Sequence, residues 1–86
     1  MTYQIFWTVA ALDDLARIWM RVTDRNAVTD AAAEIDRMLS TDAHLVGESR
    51  SGNERVAFAS PLGFRFEAVP DDRRAYVGAV WLIRQV

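Results

Sequence analysis

Arginine supplies all the positive side-chain charge in this 86-residue chain: ten residues, with no lysine and no cysteine. Arginine forks grip phosphate and carboxylate bidentately, so the first chemistry to look for is anion binding. Arg55, Arg65 and Arg84 fall opposite the apolar positions of the strands that alternation predicts around them. They can line the open face of a sheet, with Tyr76 and Glu67 among them, and Arg50 lies just upstream. Such a face suits an RNA phosphate chain, with the tyrosine free to stack on a base or move a proton. The plainer reading is that each arginine solvates an exposed face beside a nearby acid.

Other reactive types are sparse. His44 is the sole histidine, and no serine–histidine–aspartate pattern surrounds it. Asp13 and Asp14 are adjacent and point to different sides of a helix, which does not make a metal site. Asp71 and Asp72 read as turn chemistry beside Pro70. Trp7, Trp19 and Trp81 fall on inferred core faces and read as a packed aromatic cluster. Glycine-rich phosphate loops, HExxH and CxxC are absent. No metal and no cofactor is expected.

The elements that must hold these residues follow from periodicity. Tyr3 to Thr8 alternates and predicts a strand. Thr8 can cap a helix to Val22 whose stripe is Leu12, Leu15, Ala16, Trp19 and Val22. Asp24 can cap a second helix, Arg25 to Ser40, with the stripe Val28, Ala31, Ala32, Ile35, Met38 and Leu39. The two helices read as an antiparallel hairpin. Thr41 to Asn53 reads as irregular. Three strands follow: Glu54 to Ser60 with Val56 and Phe58 inward, Leu62 to Ala68 with Phe64 and Phe66 inward, and Ala75 to Arg84 with Val77, Ala79, Trp81 and Ile83 inward.

The order β-α-α-β-β-β predicts an α+β fold, with the hairpin on one face of a mostly antiparallel sheet. The length allows a single domain over residues 1–86. Charge is divided within it: residues 1–49 hold four arginines and eight acids, and residues 50–86 hold six arginines and four acids. No targeting signal and no run of about 20 apolar residues is present. A soluble cytoplasmic protein with no membrane partner is expected.

Several segments, in order, carry a resemblance. Tyr3-x-Ile5-x-Trp7-Thr8 followed by Ala11-Leu12-x-Asp14-Leu15-x-x-Ile18-Trp19 resembles the start of RelE/ParE-superfamily toxins of type II toxin–antitoxin systems. Gly63-Phe64-Arg65-Phe66-Glu67-Ala68-Val69 is similar to their Gly-x-Tyr-Arg-Val-x-Tyr-Glu-Val strand. Val77-x-x-Val80-Trp81-x-Ile83-Arg84 is similar to their last strand, which often ends in His-Arg. The resemblance implies a growth-inhibiting toxin neutralised by a cognate antitoxin, which lays an extended or helical segment between the hairpin and the sheet. RelE-like members cleave mRNA on the ribosome, and ParE-like members poison DNA gyrase without a nuclease site. On the first alternative Arg65, Arg84 and Tyr76 are the expected catalytic residues, and Arg50, Arg55, Arg65 and Arg84 the expected RNA contacts. Phe64 stands where the family usually has tyrosine, and Ile83 where it often has histidine. These departures keep open a gyrase inhibitor and a non-toxic member that only binds a partner protein.

Overall fold

The computed structural model describes residues 2–86. The chain runs β1 (Gln4–Trp7), α1 (Val9–Arg21), α2 (Arg25–Leu39), a 3₁₀ turn (Ala43–Leu45), β2 (Glu48–Ser51), β3 (Glu54–Ala59), β4 (Leu62–Val69), a 3₁₀ turn (Pro70–Asp72) and β5 (Arg74–Leu82). The strands form one sheet in the order β1-β5-β4-β3-β2. β1 runs parallel to β5, and the other pairings are antiparallel. This is the expected α+β fold with one more strand. β2 arises inside the segment read as irregular, because Gly52 at φ +57° turns the chain back on itself. Its sequence, Glu-Ser-Arg-Ser, is polar on both faces and exposed throughout, so no alternation marks it.

Both helix caps are as expected. Thr8 Oγ1 accepts from the Ala11 N–H and Asp24 Oδ1 from the Ala27 N–H, each at 3.1 Å. Such caps contribute about 1 kcal/mol each. α2 buries its predicted stripe through Val28, Ala31, Ile35 and Leu39. α1 does not. It buries Ala11 and Ile18, with Val22 at its end, and leaves Leu12 and Trp19 exposed. Two apolar stripes lie side by side on this helix, Ala11/Leu15/Ile18/Val22 and Leu12/Ala16/Trp19, and helical spacing accommodates either. The sheet receives the first stripe and the second faces outward.

The core lies between the helices and one face of the sheet, where Phe64, Phe66, Leu62, Val77, Ile35 and Leu39 are all but fully buried. The opposite face is open. Two features decide which strand residues reach it. In β5 a bulge breaks the register: Arg65 pairs with Ala79 but Phe66 with Val77, which leaves Gly78 unmatched. A bulge shifts the two-residue period by one. Val80 therefore turns into the core, and Trp81 turns out to the open face. In β3 the inward residues are Ala57 and Ala59, not Val56 and Phe58. Ala57 sits beside Phe64 and Ala59 beside Leu62, so β4 supplies the bulk and small neighbours suffice. Phe58 is left 56% exposed.

The expected aromatic core cluster does not form. Trp7 is half-buried and donates through Nε1 to Asp36 Oδ1 (2.8 Å). Trp19 lies at the surface, donating to Thr29 Oγ1 (3.3 Å) with the Arg25 guanidinium 4.3 Å over its ring. Trp81 lies at the rim of the open face.

Candidate functional site

The open face carries Arg65, Tyr76, Glu54 and Glu67, which with Phe66 and Gly78 line a recess of about 200 Å³. Cross-strand partners share a face. The pairs Glu54–Glu67 and Glu67–Tyr76 therefore bring two carboxylates and a phenol together. Arg65 Nε lies 3.5 Å from Glu54 Oε2, with both side chains about half exposed. Tyr76 stacks on Phe6 with centroids 5.4 Å apart, and the Arg74 guanidinium lies 6.0 Å from the Phe6 centroid. Two arginines and two acids thus share the face over β3 to β5. An incoming phosphate meets Glu54 as a competitor for Arg65.

The arginines expected to join Arg65 do not converge on it. Arg55 pairs across the ladder with Phe66, on the helix side. It donates to the Val46 carbonyl from Nε (2.6 Å) and to the Gly47 carbonyl from Nη2 (2.9 Å). This placement corrects its expected position, and the cause is the inverted face of β3. Arg84 lies two residues beyond β5, which ends at Leu82, so it is not a strand residue of the open face. Arg50 sits on the edge strand at a register shift, 3.6 Å from Glu48 Oε1. Of the expected catalytic residues, Arg65 and Tyr76 are brought together and Arg84 is not.

His44 is half-buried in the 3₁₀ turn. Its Nδ1 shares a 2.6 Å hydrogen bond with the hydroxyl of the buried Tyr3, and the two rings stack at 5.9 Å. Among the described residues no group of three or more His, Asp or Glu is placed to hold a metal.

A larger feature lies on the other side of the molecule. The outward stripe of α1 and the facing side of α2 enclose an open groove of about 370 Å³, lined by Leu12, Leu15, Ala16, Trp19, Val28 and Ala32 with Met20 and Thr29. Leu12 is 50% exposed and Met20 68%. Assigning the stripe Leu12, Leu15, Ala16, Trp19 and Val22 to the core hid this groove. The signal was the second stripe itself, since one packed face cannot bury both.

No protein-family model matches the chain, and no curated protein does. Solved structures do match. The crystal structure of the toxin–antitoxin complex RelBE2 from Mycobacterium tuberculosis contains a chain that superposes with a TM-score of 0.77 at 13% identity, covering 95% of this chain and 92% of that one. The chromosomal ParDE TA system from P. aeruginosa contains one with a TM-score of 0.70 at 16% identity, covering 96% and 98%. At these identities the likeness is one of fold, and it runs over nearly the whole of each chain. The chain therefore shares its fold with chains of these RelBE2 and ParDE toxin–antitoxin structures.

Proposed function

We propose that this chain is the toxin component of a type II toxin–antitoxin module. In this reading it acts in the cytoplasm, is held inactive by a cognate antitoxin, and arrests growth by binding a protein target. The observation that carries the reading is the groove on the outside of the helix hairpin. An amphipathic helix lays its apolar face into such a groove, and apolar side chains of this size, gathered rather than scattered, mark a protein-binding surface. The comparisons support an antitoxin as the occupant, since the two structures named above are of toxin–antitoxin systems. Binding is favoured over RNA cleavage because the open face is balanced in charge and Arg55 is spent on backbone carbonyls. A polyanion is drawn by net positive potential, which this face lacks. No helix among the described residues is long and apolar enough to cross a membrane.

One observation favours a second reading, cleavage of mRNA on the ribosome. Arg65, Glu54, Glu67 and Tyr76 share one recess, so an anion binder, two carboxylate bases and a phenolic acid lie together. In that reading Arg65 holds the phosphate, a carboxylate takes the proton of the 2′-hydroxyl, and Tyr76 protonates the leaving oxygen. Arg50 and Arg84 are then outlying RNA contacts.

Inducible expression in a bacterial host, with and without any small reading frame found beside its gene, tests the proposal. Growth arrest relieved by the neighbour is expected. Normal growth overturns the toxin reading and leaves a partner-binding protein. In arrested cells, altered DNA supercoiling without RNA cuts fits a target such as DNA gyrase. Codon-linked mRNA cuts that vanish in Arg65→Ala establish the second reading instead.

A further inference from the structure

α1 lies along the part of β5 that β1 leaves uncovered. β1 is four residues long, and the last main-chain bond to β5 on that side runs from the Thr8 N–H to the Val77 carbonyl (3.0 Å). Past that point β5 still pairs with β4 as far as Leu62–Leu82, and the Ile83 N–H donates to the Pro61 carbonyl (2.9 Å). Antiparallel ladders alternate bonded and non-bonded pairs. Ala79, Trp81 and Ile83 therefore bond toward β4. The N–H groups of Val80 and Leu82 point the other way, toward α1.

Val80 has its partner. Asp14 Oδ2 accepts from its N–H at 3.2 Å, and Asp14 Oδ1 accepts from Arg17 Nη2 at 2.6 Å. A carboxylate is thus held between a strand amide and a guanidinium. The same frame recurs one step along. Val80 to Leu82 advances about 6.8 Å on a strand, and Arg17 to Arg21 about 6.0 Å on a helix. α1 and this part of β5 run the same way, since the Thr23 N–H beyond α1 meets a main-chain oxygen of Val86 (2.9 Å). Arg21 therefore stands to Leu82 as Arg17 stands to Val80. Both pairs line one recess of about 200 Å³ between helix and strand. Only the carboxylate is missing from the second frame. The position equivalent to Asp14 is Ile18, which turns into the core, and Arg21 has no acidic partner among the described residues.

We infer that the Leu82 N–H and the Arg21 guanidinium form a carboxylate-binding site, filled by an acidic side chain of the neutralising partner. The inference rests on the toxin–antitoxin reading for the source of the carboxylate, but not for the site. Charge complementarity selects the occupant: a guanidinium beside a strand amide offers only donors, and the protein already fills the equivalent frame with an aspartate.

The site is tested on the chain alone by following backbone amides in NMR while adding N-acetylglutamate, with N-acetylglutamine as control. The Leu82 amide is expected to shift saturably with the acid, not with the amide, and not in Arg21→Gln. No shift in the native chain, or an equal shift in Arg21→Gln, overturns the site. The source is tested on the complex with the cognate antitoxin. Arg21→Glu is expected to weaken it about tenfold or more, as loss of a charge-paired contact does. A complex unchanged within twofold overturns the partner as source. Failure of the native chain to form any complex, with the N-acetylglutamate response intact, counts against the toxin–antitoxin reading and leaves the site standing.

Discussion

The indole of Trp81 lies so close over Gly63 that a Cβ on the glycine would stand 2.4 Å from indole Nε1. The two are partners across β4 and β5 on the open face. The ring buries the glycine while keeping 36% of its own surface exposed. Gly63→Ala must push the ring off the sheet, because the strand beneath is fixed by neighbours on both sides. The expected cost is about 1–2 kcal/mol, toward the low end for overpacking, since a ring at the rim has somewhere to go. Urea unfolding measures the loss. In NMR the indole N–H of Trp81 should shift while those of Trp7 and Trp19 stay. An unmoved Trp81 signal contradicts this packing.

Arg55 and Arg65 are expected on one open face and lie on opposite faces of the sheet, so their truncations should part company. Arg55 ties down the Val46 and Gly47 carbonyls where the chain leaves the 3₁₀ turn for β2. Arg55→Ala should cost about 1–2 kcal/mol, the scale of charge-assisted bonds to backbone that is partly in water. Arg65→Ala removes a solvent-exposed ion pair and should cost about 0–1 kcal/mol. Paired denaturant melts check the order. Equal losses would mean that Arg55 holds nothing together.

How much of this was legible before the structure depends on what each pattern encodes. The caps at Thr8 and Asp24 were, because a cap is a local bond between near neighbours. The α2 stripe was, because polar residues such as Asp30 and Arg37 delimit it. The α1 stripe was not: its apolar arc is wider than one packed face, and only the tertiary contact chooses. The inward side of β3 was misread because bulk is a property of the paired strand, so Ala57 can be core and Phe58 surface. The phase of β5 was lost at Gly78, where a bulge inserts one residue without any strong local signal. Tyr76 lies before the bulge on β5 and Arg65 lies on β4, which has none, so both stayed on the face assigned to them. Trp81 lies after it and moved.

In α2 the Arg37 guanidinium grips Glu34 through two bonds, with Nε to Oε2 at 2.8 Å. That side-chain hydrogen bond is the main reason the Glu34 carboxyl is held below its ordinary range; desolvation opposes it and the charge of Arg37 adds to it. The sign follows by linkage. A carboxyl lowered in the folded state adds stability above its unfolded value, and this is lost as pH falls through the folded one. Because the pair lies at the surface and is screened by solvent, the melting temperature near neutral pH should hardly respond to Arg37→Gln. The Glu34 side-chain carboxyl carbon, followed by NMR against pH, should titrate at higher pH in that variant. A titration that does not move contradicts the bonded geometry.

The groove separates two kinds of residue on one helix, and substitutions there should separate two properties. Met20 and Leu12 are exposed, whereas Ile18 on the same helix is buried against the sheet. Met20→Asp should leave the isolated chain within about 0.5 kcal/mol of native stability, as exposed substitutions do. On the proposed toxin–antitoxin reading its affinity for the antitoxin should fall at least tenfold, about 1.4 kcal/mol, because a charge placed on the groove must be desolvated when a helix covers it. Leu12→Glu should behave alike. Ile18→Ala should do the reverse in kind, costing about 2–5 kcal/mol of stability through the cavity it leaves and weakening binding only by unfolding the chain. Calorimetric titration alongside denaturant melts distinguishes these. Full affinity in Met20→Asp would place the partner elsewhere, since no helix could lie in the groove past a buried, unpaired carboxylate.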